Sequence, residues 1–181
     1  MCPWWLISTF DNPLRRYFQD PHEILAGYVH PGDRIADIGC GIGYFTIPIA
    51  RLVGGDGRVF AVDLQPRMLD GLRRRAQWAG MMERIEFVQS TPYCLGITSP
   101  LDFVLAFWMV HEVPDGQRLF LEIHNLLRPG GLMLVAEPRL HVPTSQFERT
   151  VALAQEVGFS PELAPLVRLS SSVLLRKLPG Q

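Results

Sequence analysis

The chain has 181 residues, 48% hydrophobic and 19% charged, which is enough to bury one sizeable core and ordinary for a soluble globular enzyme. Its formal net charge of -1 gives no global pull toward nucleic acid or anionic lipid, and its three cysteines are too scattered for a zinc site and odd in number for a disulfide framework. Met1 to Ile7 lacks a basic leader pattern, and the longest apolar run, 103–110, is far too short to span a bilayer, so a cytoplasmic protein is expected.

In chain order, the first thirty residues read as a helical cap. Asn12-Pro13 and Asp20-Pro21-His22-Glu23 each supply an N-cap followed by a first-turn proline, the second with Glu23 in capping-box position. Trp4, Trp5, Phe10, Tyr17 and Phe18 make this stretch aromatic-rich, either as cover for one edge of the core or as a lid over a pocket. From Arg34 onward, apolar strands (34–38, 58–62, 85–88, 102–107, 132–136) alternate with amphipathic helices (43–53, 66–79, 114–128, 144–157). That alternation predicts a Rossmann-like, doubly wound α/β fold with a mostly parallel sheet covered on both faces. Pro48 falls about one turn into its helix and predicts a late start or a kink. Segments 163–169 and 172–176 are strand-like with no room for a helix between them, so they are expected to pair as an antiparallel C-terminal hairpin, making seven strands in all. The expected organisation is a cap over 1–30 and a single binding domain over 31–181.

The informative residues are those that end each strand, because open α/β sheets bind ligands beyond the carboxyl ends of their strands. The first strand ends in Asp37-Ile38-Gly39-Cys40-Gly41-Ile42-Gly43, a glycine-rich bend where backbone can approach a ligand closely. Its spacing is G-x-G-x-G; the dinucleotide fingerprint would need a glycine where Tyr44 stands. The second strand ends in Asp63-Leu64, and a carboxylate there can accept both hydroxyls of a ribose, or alternatively cap the helix that starts at Pro66. Ser90-Thr91 follow the third strand, and Phe107 closes the fourth, ahead of His111-Glu112.

Taken together, Asp37 to Gly43, Val59 to Asp63, and Leu127-Arg128-Pro129-Gly130-Gly131 followed by an apolar strand resemble the motifs of the class I S-adenosylmethionine-dependent methyltransferases, in the small single-domain type 11/25 branch. The resemblance covers roughly residues 30 to 177 and includes the terminal hairpin. It implies that Gly39, Gly41 and Gly43 admit the methionine part of S-adenosyl-L-methionine, with Asp37 toward its amino end. It further implies that Asp63 holds the ribose, that Leu64 lies against the adenine, and that Thr91 and Phe107 complete the cofactor site. One position departs: where many members carry an acidic residue for the adenine amino group, this chain has Ser90-Thr91, so adenine must be met by hydroxyl, backbone or water.

Methyl transfer needs alignment above all, and a base only if the acceptor arrives protonated. His111 is the expected base and Glu112 its helper; the alternative is that both cap the helix near Pro114. Glu137 and His141, beyond the fifth strand, are second candidates. The expected partner is a small, partly apolar or aromatic acceptor, with neither nucleic acid nor membrane, and a monomer or homodimer is expected. Competing readings are a catalytically silent S-adenosylmethionine-binding module and, less favoured by Tyr44 and the antiparallel tail, a nicotinamide-dependent oxidoreductase.

Overall fold

The computed structural model describes residues 18–180. The element order is α1 (Pro21–Leu25), β1 (Arg34–Ile38), α2 (Thr46–Leu52), β2 (Arg58–Asp63), α3 (Pro66–Ala79), β3 (Ile85–Gln89), β4 (Leu101–Phe107), α4 (Gly116–Leu126), β5 (Leu127–Pro138), α5 (Thr144–Glu156), β6 (Phe159–Glu162) and β7 (Ser170–Lys177). Single 3-10 turns precede β3 at Met82–Arg84 and follow β4 at Val110–Glu112. Seven strands form one sheet in the order β3-β2-β1-β4-β5-β7-β6. The first five are parallel, and β7 pairs antiparallel with both β5 and β6. Strand order reverses between β1 and β4, the crevice where such sheets bind ligands.

The period of two along each strand divides the core. Ile35, Val59, Ala61, Phe103, Leu105 and Leu134 face one side with Ile49 of α2 and Leu72 of α3. Ala36, Phe60, Val62, Val104, Met133 and Val135 face the other, against Phe120 and Ile123 of α4. Near-continuous burial of β1, β2 and β4 follows from being covered on both faces, as the apolar runs predict. Among the described residues no helix is long and apolar enough to cross a membrane.

One local expectation is met and two change. As Pro48 predicts, the helix after the glycine bend starts late: α2 begins at Thr46 and places Pro48 in its first turn, where a missing N–H removes no intrahelical bond. Helix α1 is only five residues; Asp20 caps it by accepting from the His22 amide at 2.9 Å, and turns carry the chain on through Tyr28. The hairpin is real, but its first strand is Phe159–Glu162 and not 163–169. Leu163, Leu166 and Leu169 recur every three residues, against a strand's period of two, and Pro165 has no N–H for a ladder. The segment 163–169 is therefore the connection between β6 and β7. The aromatic start of the chain, Trp4 to Tyr17, and its first expected helix lie outside the described residues; Phe18 is exposed.

Candidate active site

The bend after β1 is held from within. The amides of Gly39 and Cys40 both donate to the Val62 carbonyl, at 2.8 and 3.0 Å, and the Gly43 amide donates to Cys40 O. Asp63 completes the lock: its Oδ2 accepts from the Gly41 amide at 3.0 Å and its Oδ1 from the Gln65 amide at 2.8 Å. Two of the glycines are obligatory for space as well as for backbone. Gly39 has φ +72°, and a Cβ there would sit 2.9 Å from Met109 Cβ; Gly43 has φ +89°, and a Cβ there would overlap Leu72 Cδ1. At Gly41 a Cβ would meet open space. With these four amides bonded internally, the bend does not present the fan of free N–H groups that a pyrophosphate requires.

Asp63 is buried at the tip of β2. Burial pushes its carboxyl above the usual range, the two amide bonds pull it back, and nearby Glu112 pushes it up again. Each oxygen retains a lone pair beyond the amide it accepts from. Beside it opens a cavity of about 210 Å³, bordered by Gly39, Asp63, Leu64, Ser90, Thr91 and Glu112 among others. Met109 and residues 92–95 also line it. Asp63, Leu64, Thr91 and Gly39 thus share one cavity. Asp37 lies deeper, buried and accepting from Thr46 Oγ1 at 2.6 Å. The remaining residue expected here, Phe107, is buried outside the cavity, its ring 4.4 Å from Phe45 and 5.5 Å from Trp108. Strand parity explains this, because Phe107 continues the Phe103–Leu105 row on the α2 and α3 side.

His111 and Glu112 part company. Glu112 borders the Asp63 cavity, whereas His111 lies on the opposite side of the 3-10 turn, next to a groove between α4 and α5. There its Nδ1 is 2.5 Å from Glu137 Oε2, and its backbone N–H donates to Glu137 Oε1 at 3.2 Å. Glu137, not Glu112, is therefore the carboxylate that orients the imidazole. The glutamate is only 1% exposed against 22% for the histidine. Burial pushes the Glu137 carboxyl up and His111 draws it down. Neither His111 nor Glu112 caps the following helix; Asp115 does, accepting from the Arg118 amide at 2.9 Å. His141, the other reserve candidate, is exposed and outside this pair.

Sequence reasoning missed two features of the site. Trp108 holds φ +60°, a conformation rare for a bulky side chain, at the carboxyl end of β4. Its indole Nε1 donates to Ser170 Oγ at 2.8 Å and its amide to Ala136 O. Nothing at 108 signals a partner 62 residues away. Tyr44, which breaks the dinucleotide fingerprint, donates its hydroxyl to Gln19 O at 2.9 Å and so ties the residues before α1 to the bend.

The fit to a cofactor follows from these donors and acceptors. A buried carboxylate with spare lone pairs at the mouth of a partly apolar cavity suits a vicinal diol and a flat ring, and the internally bonded bend suits a ligand without phosphate. Residues 35–131, more than half of the chain, match the family model for a methyltransferase domain. A ubiquinone/menaquinone biosynthesis C-methyltransferase from Teredinibacter turnerae is 31% identical over 60% of this chain and 44% of its own length. An aklanonic acid methyltransferase from a Streptomyces species is 27% identical over 96% of this chain and 74% of its own. The chain spans about half the length of most of the curated relatives it matches. Among solved structures, a SAM-dependent methyltransferase from Aquifex aeolicus superposes with a TM-score of 0.86 at 19% identity, covering 98% of this chain and all of that one, a likeness of fold. On its motifs, its sheet and its family match, the chain belongs to the methyltransferase domain family.

Proposed function

We propose that this protein is an S-adenosyl-L-methionine-dependent methyltransferase acting on a small, partly apolar acceptor. The observation that carries the reading is Asp63, which locks the glycine bend and borders the cavity at the same time. In this account Asp63 holds the ribose hydroxyls, Leu64 and Thr91 flank the adenine, and Gly39 to Gly43 give the methionine part close approach to backbone. Asp37, fixed by Thr46, carries the charge toward the amino end. When bound, the cofactor supplies a methyl group activated on a sulfonium sulfur.

The rest falls to the ends of β4 and β5. Trp108, held by Ser170, offers a rigid aromatic face for an apolar acceptor. Glu137 accepts the Nδ1 proton of His111 and leaves Nε2 as the proton acceptor, the tautomer a base requires. The relatives' names, which concern ubiquinone, menaquinone and aklanonic acid, favour a small-molecule acceptor over a macromolecule. Transfer of labelled methyl from S-adenosylmethionine to a panel of partly apolar aromatic acceptors tests the reading. Label in at least one acceptor supports it; tight cofactor binding with no transfer to any of them favours a silent binding module.

A further inference from the structure

Residues 90–95 follow β3 and border the Asp63 cavity, and every backbone N–H they carry is already bonded within the protein. The Ser90 amide donates to Asp63 O at 3.1 Å, Thr91 to Cys94 O at 2.9 Å, and Cys94 to Thr91 O at 3.4 Å. The Tyr93 amide donates to Thr91 Oγ1 at 3.3 Å and the Leu95 amide to Glu122 Oε1 at 2.8 Å. Pro92 has no N–H to give. Two side chains one turn apart on α4 grip this loop. Glu122 holds it through Leu95; Arg118 donates from Nε to Tyr93 O at 2.9 Å, with its guanidinium 5.6 Å from the Tyr93 ring centre. The loop backbone is therefore fixed, and toward a ligand it can accept a hydrogen bond but not donate one.

A flat heterocycle seated against such a loop is read at a group that donates. Four carboxylates border the cavity, those of Asp63, Glu112, Asp115 and Glu122. Asp63 accepts from two amides, Asp115 caps α4, and Glu112 lies near enough to Asp63 to push its carboxyl up. Glu122 differs from these. It is half-buried, it spends one oxygen on the loop, and its Oε2 carries no bond among the described residues. We propose that Glu122 Oε2 accepts from the exocyclic amino group of the cofactor's adenine, so that this amino group, and not the ring nitrogens, sets the choice of base. The inference rests on the S-adenosyl-L-methionine reading above and adds to it the residue that selects adenine. A carboxylate is the stronger acceptor for that amino group, and it also repels the alternative: a carbonyl in the same place would meet it lone pair to lone pair.

Three ligands titrated calorimetrically into the full chain test it. They are S-adenosylhomocysteine, S-inosylhomocysteine, in which a carbonyl replaces the amino group, and an S-adenosylhomocysteine analogue with CH in place of the ring nitrogen beside the amino-bearing carbon. The wild type is expected to bind the adenosyl compound at least about tenfold more tightly than the inosyl one, and the CH analogue within about twofold of the former. Glu122→Gln keeps an oxygen for Leu95 and turns an amide donor toward the ligand, so the adenosyl preference should fall to about one or below. The preference is a ratio: a loop merely loosened by the substitution would weaken both ligands and leave it unchanged. Asp115→Asn, which still caps α4, should keep the wild-type ratio. A wild type that binds no S-adenosylhomocysteine overturns the methyltransferase reading, and this inference with it. Binding without an adenosyl preference, or a preference that Glu122→Gln leaves intact, overturns the assignment of Glu122 alone. So does loss of the preference in Asp115→Asn, which moves recognition to that carboxylate. A loss of about tenfold or more with the CH analogue also overturns it, because the ring nitrogen is then read.

Discussion

The two halves of the sheet's carboxyl edge are built differently. At β1 and β2 the site is local: a bend of seven residues, one aspartate, and hydrogen bonds that close between neighbouring strand tips. At β4 and β5 it is assembled across the chain, with His111 meeting Glu137 and Trp108 meeting Ser170. The first half has little freedom, because amides and carboxylate satisfy one another before any ligand arrives. In the second half the contacts join strand ends to segments far away in the chain. On the proposed reading, the cofactor is held where the chain is self-contained and the acceptor is met where distant segments converge.

Perturbing each half separately sharpens that contrast. The largest expected effect is on the rigid side. Asp63→Ala removes the acceptor of two amide bonds and of the proposed ribose contact, so cofactor affinity should fall at least about a hundredfold by calorimetry. Gly43→Ala should be destabilising by roughly 2–4 kcal/mol in urea unfolding, since it forces a methyl into Leu72 at a left-handed backbone position.

On the assembled side, His111→Ala should lower kcat about a hundredfold and Glu137→Gln about tenfold, with affinity for S-adenosylhomocysteine and unfolding midpoint near wild type. If affinity and stability fall along with kcat, the pair is a clamp joining the β4 tip to β5, and the contrast between the halves fails.

The smallest effect concerns neither half. His124, buried in α4 beside the Lys177 ammonium that bonds its carbonyl, is held below the ordinary histidine range by burial first and by that charge second. A histidine depressed in the folded state contributes stability that is whole above about pH 6.5 and is lost as pH falls below it. Unfolding measured from about pH 7 to pH 5 should show a decline that His124→Leu flattens.

This division also explains what the sequence made legible. Asp37, the glycines, Asp63 and Leu64 stand out in the sequence because each is next to a strand end that hydrophobic pattern alone locates; the structure gathers Gly39, Asp63 and Leu64 at one cavity and sets Asp37 deeper, against Thr46. The late start of α2 was readable from Pro48. Phe107 is expected at the site because it closes a strand, but proximity to a strand tip does not say which face a side chain takes; parity with Phe103 and Leu105 does, and it points away from the cavity. Glu112 was paired with His111 for the same reason, although neighbours on a 3-10 turn diverge and the true partner, Glu137, is 26 residues on. The hairpin's first strand was displaced because 163–169 is apolar enough to pass for a strand, while its spacing of three and Pro165 mark it as a loop.

The central claim is that the bend and Asp63 hold S-adenosyl-L-methionine. Calorimetric titration of S-adenosylhomocysteine into the wild type and Asp63→Asn, with NAD as a parallel titrant, tests it most directly. The account predicts saturable 1:1 binding on the order of micromolar to the wild type, weakened at least about tenfold by the amide, and no heat from NAD. Equal affinity in wild type and variant, or binding of NAD in place of S-adenosylhomocysteine, would contradict it.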